Sequence, residues 1–300
     1  MNWIAVAASL VVLGAAPSNE VYERLTTTGV CRLGGAECVR LPTPDLPDGL
    51  DAAAQAEVLA RIAGPNRRVE ELLRDSIVAP FVFSMDQRET APGRRPLRSV
   101  DLWFVAHGRL DRLDSEEALQ RFGRRLENEA GDAPPSECGF LSAEQLGERG
   151  IRAEDAENRR ERYVFGGLAL FDRVFVRATQ HVVVTRAEQS VLVAGAIDPR
   201  FTADRQFPNA WQPLVKTADD SGRFRFEKGP ARPYESAGFY AKATRLRQPE
   251  GALLIEYHLV FDEPEEWFGG ANLLRSKLPM AVQDAVRKFR RSLRELDSAP

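Results

Sequence analysis

The chain has 300 residues, 43% of them hydrophobic and 28% charged, enough for one large domain or two small ones with a substantial core. That balance excludes wholesale disorder, a coiled-coil rod and a polytopic membrane protein. The 41 basic and 44 acidic residues leave a net charge of −3, so no global basic field points to nucleic acid as a partner.

The chain opens on an uncharged apolar stretch from Trp3 to Ala16, shorter than the ~20 residues that span a bilayer as a helix. Small residues follow at Gly14, Ala15, Ala16 and Ser18, as a signal-peptidase site requires. Residues 1–18 are therefore read as a signal peptide cleaved after Ala16 or Ser18, and the mature protein as periplasmic or secreted. The n-region carries no Lys or Arg, which leaves a buried N-terminal helix as the alternative. The basic residues divide into 36 Arg and 5 Lys, a skew expected of a GC-rich bacterial genome.

Residues 19–50 read as a hairpin and a proline-rich connector. Cys31 and Cys38 flank Gly34-Gly35, and a two-residue turn there sets the two thiols opposite each other, within disulfide range. The third cysteine, Cys138, falls in a polar loop. The six residues between Cys31 and Cys38 do not match a zinc knuckle, and neither a metal nor a cofactor is expected.

Residues 51–300 read as one α+β domain. Asp51 starts a helix that Gly64-Pro65 stops, and Asn66 is the expected cap of a second short helix. Strands follow at Ile77–Met85 and Leu97–His107, joined by a turn at Ala91-Pro92-Gly93. Asp114 and Glu117 form a capping-box pattern for a helix to about Leu126. The polar stretch of about 128–162 reads as a partly mobile surface insertion that contributes little core. Alternation from Arg173 to Thr185 marks a long strand with one buried face, and Ser190–Ile197 returns beside it. Gly238–Leu246 and Ala252–Phe261 complete an antiparallel meander. A final helix, Leu278–Leu296, places Val282, Ala285, Val286, Phe289 and Leu293 on one apolar stripe.

Two short helices, an antiparallel meander and one long amphipathic C-terminal helix resemble the START-like helix-grip superfamily of Bet v 1, polyketide-cyclase and lipid-transfer proteins. The likeness spans about residues 51–110 and 165–296. It is carried best by the ending: the Ala252–Phe261 strand, the Trp267-Phe-Gly-Gly270 linker and the last helix. It implies a cavity between sheet and helix for an apolar or amphipathic small molecule.

No nucleophile elbow, zinc-protease motif, P-loop, dinucleotide fingerprint or EF-hand loop occurs, and no catalytic residue is assigned. His107, His181 and His258 each fall in a strand, and Glu256 shares a face with His258. Together with Trp103 and Tyr257 they are the candidate ligand-lining residues. A His/Glu cluster would suit an acid–base pair or a metal; three unrelated His with local partners is the plainer reading. The strand aromatics either line a pocket or fill the core. Seven basic residues against Asp284 alone between Arg275 and Arg294 suit either an anionic membrane surface or a solvated helix face.

The reading that follows is an exported, non-catalytic protein that binds an apolar or amphipathic ligand. The alternatives are a membrane-surface interaction protein and a cyclase- or hydrolase-like enzyme using His258 and Glu256. Oligomeric state is left open.

Overall fold

The computed structural model describes residues 18–32, 37–88, 97–113, 138–218, 224–264, 267–268 and 273–298. The signal segment, the Gly34-Gly35 and Ala91–Gly93 turns, the 114–126 helix and the first part of the insertion lie outside them.

The chain is α+β. The elements are α1 (Glu20–Thr27), β1 (Val30–Cys31), β2 (Cys38–Val39), α2 (Ala52–Ala63), α3 (Val69–Leu72), β3 (Phe81–Arg88), β4 (Leu97–His107), β5 (Cys138–Phe140), α4 (Ala143–Gly147), β6 (Arg159–Leu170), β7 (Val174–Arg186), β8 (Ser190–Ile197), β9 (Ala210–Ala218), β10 (Phe224–Lys228), β11 (Arg232–Pro233), β12 (Ala237–Arg245), β13 (Ala252–Phe261) and α5 (Leu273–Ser298). β3 to β13 form one sheet in which every pairing is antiparallel. Its spine runs β10-β9-β7-β8-β12-β13-β4-β3. β6 covers the whole of β7 on one side, while β8 and β9 divide the other.

Strand period two gives each face its own lining. One face presents Leu102, Phe104, Ala106, Leu253, Ile255, Ala243, Val191, Val182 and Val184, and α5 lays Val286 and Leu293 across it. The ring of Phe289 meets Phe104 edge to face at 5.4 Å. The close approach of α5 depends on Gly108: a Cβ there would stand 2.5 Å from Cγ of Leu293. The expected stripe of α5 is the one buried, and the helix runs from Leu273 to Ser298 rather than from 278 to 296. Arg290, expected on the solvated side, is buried instead.

The other face is covered by the N-terminal segment. Val21 and Leu25 of α1 pack on Val183, Ala194, Ala196, Tyr240 and Val260. Gly238 admits α1, since a Cβ there would reach Cδ2 of Leu25 at 2.6 Å. Further along, Leu46 from the connector and Val58 and Leu59 of α2 pack on Val105, Ala252 and Leu254. β7 is thus buried on both faces along much of its length, not on one, because α1 covers the side on which polar residues alternate.

Asp51 caps α2 and Gly64 ends it as expected, whereas α3 starts after Arg68 with no side-chain cap, so Asn66 is not its cap. Cys31 and Cys38 are cross-strand partners joined by a disulfide with a Cα separation of 4.0 Å. Cys138 is exposed on β5 and takes no part in that bridge. The described part of the 128–162 stretch contributes core: Leu141, Leu146 and Ile151 pack on Tyr163, Phe165 and Phe201. β6 begins inside that stretch, and residues 210–228 add two strands that the polar sequence concealed.

Candidate ligand cleft

Five of the six candidate residues lie on the face turned away from α5. In the strand register Trp103 stands opposite Glu256, His258 opposite Asp101 and His107 opposite Ala252. His181 belongs to the same face through Ala196 and Gly238. Tyr257 alone faces the α5 side, where it stacks on Phe239 at 5.7 Å and burial pushes its hydroxyl far above its ordinary pKa.

The three His do not converge. His258 lies three strand spacings, about 14 Å, from the strand of His181, and six residues, about 20 Å, along the sheet from His107. Each has its own partner. Nε2 of His107 is 2.9 Å from the Leu73 carbonyl, and Nε2 of His181 is 2.7 Å from Glu161. Nδ1 of His258 is 2.7 Å from Oδ1 of Asp101.

Glu256 carries the N-terminal connector, and His258 lies beside it on the same strand, paired with Asp101. Both are fully buried, at 0% and 1% exposure. The N–H groups of Asp45 and Leu46 donate to the two oxygens of Glu256 at 2.7 and 3.2 Å. Trp103 Nε1 donates to Asp45 at 3.1 Å, and Lys242 donates to the Leu46 carbonyl at 2.8 Å while pairing with Asp48 at 2.9 Å. Tyr240 donates to the Pro42 carbonyl at 2.8 Å. Glu256, Lys242 and Tyr240 therefore satisfy backbone groups of the connector that burial would otherwise strand. Burial raises the Glu256 carboxyl, against the two N–H donors that favour its charged form. The ring of His258 is held between Trp103 and Tyr240, at 5.3 and 4.9 Å.

The open space lies on the α5 side, at the edge of the sheet. A cleft of about 410 Å³ runs between α5 and the chain from Ile77 through β3. Its walls include Phe81, Phe83, Pro80 and Val286, with Arg67, Arg287 and Arg290 among them. None of the six candidate residues lines it. Arg290 is the residue that sequence reasoning misassigned. Its guanidinium, 3% exposed, donates to the carbonyls of Val105 at 2.8 Å, Ala79 at 2.6 Å and Pro80 at 3.2 Å, and sits 5.5 Å from the centre of the Phe104 ring. It has no carboxylate partner among the described residues. Burial lowers its pKa to about 10, with the nearby charge of Arg294 adding to the effect, so it remains cationic at neutral pH. A position on the helix stripe next to Val286 and Leu293 was the available signal: a charged residue there must take its long stem into the interface.

No family model and no curated protein matches the chain. Among 22 matching chains of solved structures is CalU16 from Micromonospora echinospora, 9% identical over 73% of this chain and 99% of that one, with a TM-score of 0.20. A score that low leaves the architecture to be read from the strand register and the packing of α5.

Proposed function

We propose that this chain is an exported, non-catalytic protein that holds an anionic amphipathic small molecule in the cleft between α5 and β3. The observation that carries this reading is Arg290, a buried cation without a carboxylate partner among the described residues, in the wall of a cleft that mixes aromatic and aliphatic side chains with Arg67 and Arg287. A volume of about 410 Å³ falls in the ~300–1,000 Å³ range of small-molecule sites. Phe81, Phe83 and Val286 offer apolar surface for a hydrocarbon body, and Arg287 and Arg67 offer charge for an acidic head. Export is supported by the Cys31–Cys38 bridge, which an oxidising compartment maintains. A catalytic role for Glu256 and His258 finds less support, because Glu256 is engaged in holding the connector and His258 in pairing with Asp101.

The test is calorimetric titration with dodecanoate and with dodecan-1-ol, which share a chain and differ in the charge of the head. Dodecanoate should bind at least tenfold more tightly. Equal affinity, or no heat from either, removes the reading. Recovery of the protein from the periplasm or medium with its N-terminus at Pro17 or Asn19 tests export, and a cell-associated chain still beginning at Met1 counts against it.

A second reading is favoured by Met280, 60% exposed on α5 among Arg275, Lys277 and Arg287. An apolar side chain within a basic helix face suits an anionic bilayer surface. Co-sedimentation with phosphatidylglycerol vesicles should occur at low salt and fade at high salt.

A further inference from the structure

A second group of ionisable side chains lies on the connector side of the sheet, where α1 begins. Glu20 in the first turn of α1, Glu161 of β6 and His181 of β7 each offer one ligand atom, and these atoms lie within 4.8 Å of one another. We propose that these three residues form a site for a divalent transition-metal ion of the zinc type, which staples α1 to the sheet.

The donor set is one imidazole nitrogen and two carboxylate oxygens. The imidazole favours zinc and its neighbours over the hard cations calcium and magnesium. Around a tetrahedral zinc with bonds of ~2.0–2.2 Å, donor atoms stand ~3.3–3.5 Å apart. Nε2 of His181 is 2.7 Å from Oε1 of Glu161 and 4.0 Å from Oε1 of Glu20. Changes of less than about 1 Å in two Glu side chains therefore seat the ion, leaving a fourth position for water or the second oxygen of a carboxylate.

Two of the three ligands are already oriented. The His181 ring stacks on Tyr163 with 4.9 Å between centroids and an interplanar angle of 10°. The Tyr163 hydroxyl donates to Oε1 of Glu161 at 3.3 Å, and the Glu154 N–H donates to its Oε2 at 3.1 Å. Such outer contacts fix ligand geometry before an ion arrives.

Arg159 gives the proposal its sharpest consequence. Its guanidinium contacts both Glu20 and Glu161, so it balances their charge when no ion is present. A metal must displace it, and Arg159 has the Glu154 carbonyl at 2.8 Å as a second partner. The arginine is a competitor for the site. Removing it should tighten metal binding, whereas removing any of the three ligands should weaken it.

The experiment uses the full chain, stripped with a chelator and titrated with zinc chloride against a chromophoric zinc indicator. One equivalent should bind, with at least tenfold weakening in E161Q, H181A and E20Q and at least tenfold tightening in R159Q. E20Q, on an exposed residue, guards against a ligand variant that fails to fold, and far-ultraviolet circular dichroism checks all four. Calcium and magnesium at the same concentration should leave the indicator unchanged by the protein. X-ray absorption on the zinc complex should show nitrogen and oxygen ligands without sulfur. Absence of zinc binding, binding unaltered by the ligand variants, or an R159Q chain that binds no more tightly than the parent overturns the proposal.

Discussion

The backbone N–H of Asp45 donates to Oε2 of Glu256 at 2.7 Å across 211 positions of sequence. With its neighbour Leu46 bound to the other oxygen, one buried carboxylate fixes the crossing of the connector over the sheet. Because burial raises the Glu256 pKa, the folded chain binds this proton more tightly than the unfolded one. The stability contributed by that proton is complete below the unfolded value of ~4.3 and is lost as pH rises through the higher folded value. Urea denaturation of the parent and E256Q from pH 4 to 8 should show the difference moving in favour of the variant as pH rises. A difference that stays constant with pH defeats the assignment.

Gly108 limits how near α5 comes to β4. A Cβ at this position would lie 2.5 Å from Cγ and 2.8 Å from Cδ2 of Leu293, and 2.8 Å from a carboxylate oxygen of Asp297. The Asp297 carboxylate also accepts the Arg109 N–H at 3.1 Å. G108A should push the last turns of α5 outward and cost ~1–3 kcal/mol, the range for overpacking a tight contact. Denaturation midpoints would measure it, and a neutral result would mean that the helix end shifts freely.

The Cys31–Cys38 bridge closes a loop of only a few residues, so its entropic contribution is ~2.5 kcal/mol at most. Replacing both by Ser should lower stability by about that amount while leaving the sheet intact. Proteolysis should show the change as cutting at the hairpin, with β4, β12 and β13 still protected. Digestion spreading through β4 and β13 would show that the bridge holds more than its own loop.

In the cleft, R287Q should weaken dodecanoate at least threefold, leave dodecan-1-ol unchanged and alter stability by less than ~0.5 kcal/mol, as expected of a surface change. R290M should abolish the preference for the acid and also cost ~1–3 kcal/mol, because the carbonyls of Val105, Ala79 and Pro80 lose their donor. A preference for the acid that survives both variants would remove the two guanidinium groups from recognition.

Elements with strong periodicity were legible in the sequence: the hairpin partners of β7 and β8, the β12–β13 pair and the stripe of α5 all follow from alternation or three- and four-residue spacing. α1 was not, since EVYERLTT reads as polar until Val21 and Leu25 find Tyr240 and Val260 across the sheet. The 138–151 segment failed similarly: Leu141, Leu146 and Ile151 are too sparse to signal a core, yet all three converge on Phe201 and Tyr163. For the site, the sequence placed Glu256 and His258 on one face but could not say which face. That depends on whether α5 or the connector covers it, and this non-local packing leaves no trace in strand alternation. Arg290 was hidden for a different reason, since its partners are backbone carbonyls and carry no sequence signature.

β4 takes β13 as a neighbour over ten consecutive residue pairs, joining stretches about 150 residues apart. A ribosome delivering this chain exposes β3 and β4 long before β13 exists, and α5, which seals the same surface, follows β13. Completion of the sheet must therefore wait until β13 has been made.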